Sequence, residues 1–442
     1  MTSNHQISSS LPSRKNRIVC TLRLLIVLMS LHFMADHAVA SAPAKIGAED
    51  WPSWRGPTGD GIVADNQKVA TEWDGESKKN IAWSIPIPGR GHGSPIVVGD
   101  QIVIATAVKD PEKQVLLCFD KKDGKQIWES VIHEGNQPTK GNTKSTLASS
   151  SAACDGTLYF INFLNGDSAW TTAVDRNGKK VWQTRISEFK IHQGFGSSPL
   201  IFEDLVLVTS DNDAGGAVTA LNRETGEVVW TRKRPQKPNY TSPVVVKAAG
   251  KTQLIVIGCN LVTSLDPKTG KELWEVEGAT TECVTSTVTD GERVFTSGGY
   301  PKNHIAAVAA DGSGKVVWEN TLRAYVPSLL YRDGHLFAVL DAGVATCLRS
   351  DTGEEVWKER LKGTFSGSPV MIGNTVYCTN EEGQTFVFEA TPKAFRLIAT
   401  NQLGDSCFAT PTICGGSIYL RSGHSKDGQR QEMLSCIRIA GQ

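Results

Sequence analysis

The 442-residue sequence has no excess of charge of either sign, with 46 Lys and Arg against 46 Asp and Glu, and no run of five like charges. The basic footprint that holds nucleic acid is therefore missing, as is a charged tail. Ten cysteines are present, yet no two are adjacent and none form Cys-x-x-Cys, so a zinc or thioredoxin-like site has no support. No His-Glu-x-x-His or Ser/His/Asp arrangement points to hydrolysis. Long apolar runs are also lacking. The stretch from Leu24 to Phe33 falls short of the ~20 residues that span a bilayer. Arg14, Lys15 and Arg17 precede it and Ala38-Val39-Ala40 follows, the pattern of a signal peptide over residues 1–40. Cys20 lies upstream of the apolar core without a leucine three residues before it, so lipid attachment is not expected. These features predict an exported chain, periplasmic or extracellular, that is not an integral membrane protein once cleaved. The remaining nine cysteines are expected as buried thiols, with their pairing left open. Cys407 and Cys414 bracket one predicted strand, which at ~3.3 Å per residue holds them too far apart to bridge.

What the sequence has is repetition. "LDPKTGKELW", ending at Trp274, returns as "CFDKKDGKQIW" at Trp128, "AVDRNGKKVW" at Trp182, "ALNRETGEVVW" at Trp230, "AVAADGSGKVVW" at Trp318 and "CLRSDTGEEVW" at Trp357. The Trp spacings are 54, 48, 44, 44 and 39 residues, close to the ~40–45 of a four-stranded propeller blade. In the phrase, Asp266 can accept from turn amides, Pro267 presets φ and Gly270 closes a bulged hairpin. A second element, Ser-Pro or a Ser-Pro-like start before apolar residues, opens each unit. Such starts lie at Ser94, Ser151, Ser198, Ser242, Ser286, Ser328, Ser368 and Thr410. Between the two elements run Val/Ile/Leu-rich segments of strand length.

Eight starts but six complete Trp strands leave two units to explain. In the seventh, Glu389 and Leu397 are aligned with the Asp and Trp positions. The eighth runs out of chain near "MLSCIRIAG", while "NIAWSIPI" at residues 80–87 carries a Trp strand with no blade before it. Placing Trp83 on the last blade closes a ring without open edges. The predicted fold is all-β: an eight-bladed propeller of four-stranded antiparallel blades, closed by residues 80–87 joining the C-terminal blade. The predicted organisation is a signal peptide over 1–40, an irregular segment over 41–79 packed on the propeller, and the propeller over 80–442. "WPSWRGPTGDG", from Trp51, is expected to cover one face or the closing blade. Trp83, Trp128, Trp182, Trp230, Trp274, Trp318 and Trp357 are expected as structural docking residues, each burying roughly 150–250 Å² between blades.

On these residues the chain resembles a known family. The pattern Ala-x-Asp-x-x-Thr-Gly-x-x-x-Trp is the docking motif of the pyrroloquinoline quinone-like propellers, similar to those of quinoprotein dehydrogenases and of the outer-membrane barrel-assembly lipoprotein B. It is matched at "SLDPKTGKELW" and, with Asn222 for Asp, at "ALNRETGEVVW". Cys118, Cys347 and Cys436 stand where the family has alanine. WD-type repeats end in Trp-Asp, and here Trp is never followed by Asp in the repeats. The dehydrogenase resemblance implies a quinone held between a Trp and a ring of adjacent cysteines, with calcium. This sequence has no such cysteines.

Loops entering the inner strands and loops joining second to third strands share one propeller face. The candidate ligand-facing residues there are His92, His192, Tyr240, His304, Tyr325, Phe408 and His424. His92 and His424 fall on neighbouring blades across the closure. "SDNDAGG" from Ser210 lacks the Glu of a calcium loop and reads as a tight turn. No catalytic residue, metal ligand or cofactor is expected. The expected function is a non-catalytic binding or scaffolding propeller of the cell envelope, its partner an envelope protein or an extracellular peptide or polysaccharide. The alternative is a quinone-dependent dehydrogenase of alcohols or aldose sugars, using pyrroloquinoline quinone with calcium.

Overall fold

A computed structural model describes residues 44–139 and 141–441, so the leader reading lies outside the described residues. Among these, no helix is long and apolar enough to cross a membrane. Every regular element is a strand, and the strands form eight sheets. The fourth blade shows how sequence dictates this. Its strands are Val244–Ala248, Lys251–Gly258, Leu261–Leu265 and Glu272–Glu277, ordered from the centre outward. The second strand ends in six consecutive buried residues, Gln253 to Gly258. Neighbouring blades cover both of its faces, so an uninterrupted apolar run replaces alternation. The outer strand, Glu-Leu-Trp-Glu-Val-Glu, keeps only Trp274 buried.

The repeated phrase is the hinge of this packing. Asp266 Oδ1 accepts from the amides of Lys268 and Thr269 at 2.9 and 3.0 Å, and a bulge follows between Ser264 and Leu265. Gly270 takes φ +67° directly under the indole of Trp230 from the preceding blade, where a Cβ would lie 2.5 Å from Cε3. Only glycine meets both demands. Trp83, Trp128, Trp182 and Trp318 lie on Gly124, Gly178, Gly226 and Gly353 in the same way. Most indoles also donate into the turn they cover: Trp128 Nε1 to Arg176 O at 2.8 Å, Trp182 to Arg223 O, Trp230 to Pro267 O, Trp318 to Ser350 O and Trp357 to Thr391 O. Trp274 donates instead to Gln253 Oε1 at 2.7 Å.

The Ser-Pro element works at the centre. The amide of Ser94 donates to Ser151 Oγ, Ser151 to Ser198, Ser198 to Ser242, Ser286 to Ser328, Ser328 to Ser368 and Ser368 to Thr410, at 2.8–3.0 Å. Thr410 N returns to Ser94 Oγ at 3.0 Å. Seven of the eight steps around the channel are tied in this way, the exception being the step from Ser242 to Ser286. At the perimeter Ile81–Ile87 pairs antiparallel with Gln429–Ile437, Ser84 opposite Ser435, and completes the eighth blade as predicted.

The seventh blade corrects one assignment. Val387 faces Ala399 just before the bulge, the relation that Cys118 bears to Trp128. Ala399, not Leu397, therefore holds the Trp position. The turn after Glu389 is two residues longer than that of the fourth blade, which shifts the alignment. Phe395 fills part of the space, tilted against Trp357 at 5.8 Å and Phe388 at 4.9 Å.

The segment from Ala44 onward lies on the turn face. Trp51 bridges Val97 on the first blade, and the second blade's Cys154 N donates to Pro52 O at 2.8 Å. Crossing the channel, Trp54 Nε1 donates to Ser286 Oγ on the fifth blade at 2.9 Å, the one ring hydroxyl not receiving a neighbouring blade's amide. The buried Arg55 reaches Leu329 O on the sixth at 2.6 Å. Ile62–Val63 then adds as a fifth, parallel strand to the inner edge of Val370–Ile372. Buried Trp73 stacks on Tyr377 before the chain reaches the closing strand.

Candidate functional site at the open mouth of the channel

With the turn face crossed by this segment, the loop face is the open end. The candidate residues sort there into two groups. His92 stacks on Phe408, ring centroids 4.3 Å apart and 13° from parallel. Burial, then the charges of Arg421, Arg90 and Arg430, pushes its pKa well below the usual imidazole value. The buried Arg421 pairs with Glu432 at 2.8 Å and donates to Ala105 O at 2.7 Å, which ties the last blade to the first. His424 bonds Ser422 Oγ at 3.0 Å and burial lowers its pKa. The two histidines do not share a ligand set: among the described residues, no three His, Cys, Asp or Glu side chains converge to hold a metal. His304 is buried at the start of its strand, 3.4 Å from Thr296 Oγ1, with its pKa lowered by burial. His92, His304 and His424 are built into the blades.

His192, Tyr240 and Tyr325 form the second group, and they meet at a residue that the motif reading missed. Glu282, in the link between the fourth and fifth blades, is only 4 % exposed. Its Oε1 lies 3.4 Å from His192 Nε2, and its Oε2 accepts from Tyr325 Oη at 3.4 Å. Tyr240 brings a buried hydroxyl without a hydrogen-bond partner. Burial raises the Glu282 pKa, opposed by His192 and then by the Tyr325 hydroxyl. Tyr325 is fixed from behind, its amide donating to Asp341 Oδ2 at 2.7 Å and Arg323 lying 5.7 Å from its ring centroid. The group is a carboxylate withdrawn from water, walled by two aromatic rings and roofed by the exposed His192. Glu282 had one sequence signal: it is the sole charge between Gly278 and Thr289.

A third contact spans the rim. Lys144, in the loop leading to the second blade, reaches Glu381 on the seventh at 2.8 Å, and Ser366 Oγ donates to the same carboxylate at 2.7 Å. The nine described cysteines are all buried and unbridged. Burial raises their pKa values, that of Cys414 to about 11 and that of Cys407 to about 12, so these thiols are not nucleophiles at neutral pH.

Residues 55–189, 171–302 and 301–392 match the family model described as outer membrane protein assembly factor BamB. The chain belongs to this family. The BamB of Burkholderia pseudomallei is 25% identical over 348 residues, covering 75% of this chain and 82% of that protein. A second branch is also similar. Methanol dehydrogenase [cytochrome c] subunit 1 of Paracoccus denitrificans is 28% identical over 200 residues, 41% of this chain and 30% of that one. Among solved structures, the quinohemoprotein alcohol dehydrogenase from Comamonas testosteroni superposes with a TM-score of 0.65 at 13% identity, over 91% of this chain and 82% of that one. At that identity the likeness is one of fold alone.

Proposed function

We propose that this BamB-family propeller is an exported, non-catalytic scaffold that binds polypeptides of the cell envelope through its loop face. The observation that carries the reading is the one-ended channel. The chain's own segment crosses the turn face from the first blade to the fifth and sixth. The opposite mouth gathers Tyr240, Tyr325, the half-exposed Tyr300 and a buried carboxylate. Aromatic residues on a rigid platform are what protein interfaces use. The name of the Burkholderia relative, an assembly factor for outer membrane proteins, supports a partner of that class and a periplasmic location.

The donor set speaks against the dehydrogenase alternative. A calcium-bound quinone needs converging oxygen ligands and a stacking floor. The described residues offer no cluster of three acidic or imidazole ligands, no adjacent cysteines, and tyrosines rather than indoles at the open mouth. These residues do not fit the group. The test is affinity capture from the host's envelope extract with the wild type and with Tyr300→Asp. A specific outer-membrane protein or assembly component retained by the wild type and lost with the variant is the expected result. Identical capture by both contradicts use of the loop face.

A further inference from the structure

The ring of hydroxyls around the channel is interrupted at one step. The amide of Ser242 has no acceptor among the described residues, and Ser286 Oγ, its partner by position, accepts instead from Trp54 Nε1 at 2.9 Å. Trp54 also differs from the other tryptophans of its segment. Trp51 and Trp73 are buried in one apolar cluster, whereas Trp54 is half-buried and joins no such cluster of the described residues. Beside it lies a groove of about 610 Å³ floored by Leu200, Phe202 and Val245. The two ends of the missing bond lead to the loop-face pocket: Ser242 follows Tyr240 by two residues, and Ser286 follows Glu282 by four. The links that carry them are hinged together between these points, with Tyr240 N donating to Cys283 O at 3.0 Å and Cys283 N to Asn239 Oδ1 at 2.9 Å. One seam therefore leaves two donors unused, the Ser242 amide and the buried Tyr240 hydroxyl.

We infer that the Trp54 indole is a latch holding the seam between the fourth and fifth blades open, and that its release closes the loop-face pocket from the far side of the channel. Two donors compete for Ser286 Oγ. While the indole occupies it, the Ser242 amide stays unpaired and the Tyr240 hydroxyl stays short of Glu282. When the indole turns into the adjoining groove, the Ser242 amide takes the hydroxyl, as happens at the other seven steps, and completes the ring. The two links then draw together, and Tyr240 Oη donates to the Glu282 carboxylate. One bond to Ser286 replaces another and a buried donor finds its acceptor, which offsets the loss of the indole's hydrogen bond, while the apolar floor of the groove covers the displaced ring. The seam is thus a two-state element that contacts on either face can bias. With the indole docked, Glu282 keeps acceptor capacity for a partner's donor; with it released, that capacity is spent on Tyr240. Trp54 is a positioning residue, acting on the pocket through Ser286. The inference rests on the loop-face reading for its purpose, and its test uses no partner.

Hydrogen exchange at the Ser242 amide reads the seam directly. In the wild type this amide should exchange at least tenfold faster than those of Ser151, Ser198 and Ser328, which are bonded in the ring. Trp54→Phe keeps an aromatic ring and removes the donor, and should slow exchange at Ser242 at least tenfold. A merely structural loss would speed it. Adding Ser286→Ala to Trp54→Phe removes the acceptor and should restore fast exchange. On the loop face, 3-fluorotyrosine labelling should show the Tyr240 signal, assigned with Tyr240→Phe, displaced in Trp54→Phe and returned to its wild-type position in the double variant. If Trp54→Phe fails to fold, the contrast among the four serine amides of the wild type decides. Equal protection of those amides, unchanged or faster exchange at Ser242 in Trp54→Phe, or an unmoved Tyr240 signal would overturn the inference. Failure of envelope capture alongside slowed exchange at Ser242 would remove the loop-face scaffold and leave the latch standing.

Discussion

Gly270 meets two constraints at once, a left-handed φ of +67° and an indole pressed on its α-carbon. Gly270→Ala therefore combines backbone strain of about 1–2 kcal/mol with overpacking of about 1–3 kcal/mol. The expected loss is about 2–5 kcal/mol by urea denaturation. Gly291, with φ +91° and open space within 4 Å of where a Cβ would stand, is the control. Its Ala variant carries only the backbone strain. Equal losses would mean that Trp230 contributes nothing at the turn. Glu282 gives a second test. Burial raises its pKa above the ordinary 4.5, so the folded protein binds more protons than the unfolded chain in the interval above that value. Its contribution to stability is full below 4.5 and is lost as pH rises through the raised value. Glu282→Gln should accordingly melt above the wild type at pH 7–8, and the gap should close as pH approaches 4. A variant less stable than the wild type at pH 8 would show the carboxylate to be well satisfied. The turn glycines were legible in the sequence because their constraint is local. Glu282 was not, because its partners His192, Tyr240 and Tyr325 come from three other loops that only the closed ring brings together.

At the scale of elements, the closing strand was legible because the bookkeeping of strands left Trp83 without a blade and the last blade without an outer strand. Ser84 and Ser435 sit opposite one another with their hydroxyls 2.8 Å apart. Ser84→Cys with Ser435→Cys should oxidise to an intramolecular disulfide and stabilise the fold by about 2–4 kcal/mol, read as a higher melting temperature lost on reduction. Failure to cross-link would place the closing strand elsewhere. The Ser-Pro-like starts were recognised as a repeat without their purpose, since a bond from one blade's amide to the next blade's hydroxyl has no signature within one unit. The seventh blade shows the limit of spacing arguments. Two extra turn residues moved the docking position from Leu397 to Ala399, and Phe395 took over part of the indole's packing. Trp51, Trp54 and Arg55 announced a packed segment by composition, yet its path over the channel depends on where opposite blades stand.

For the whole molecule, the ring converts eight similar units into two unlike faces. One is crossed by the chain's own segment, which leaves a groove beside the third and fourth blades. The other opens on loops that carry aromatics and one secluded carboxylate. The fold is shared with proteins that assemble other proteins and with enzymes that oxidise alcohols, so the contents of the mouth must decide between them. The most direct measurement is titration of the purified protein with pyrroloquinoline quinone and calcium, followed by dye-linked oxidation assays on alcohols and aldose sugars. The scaffold account predicts no saturable quinone binding and no turnover above the protein-free rate. Stoichiometric binding accompanied by turnover would contradict it.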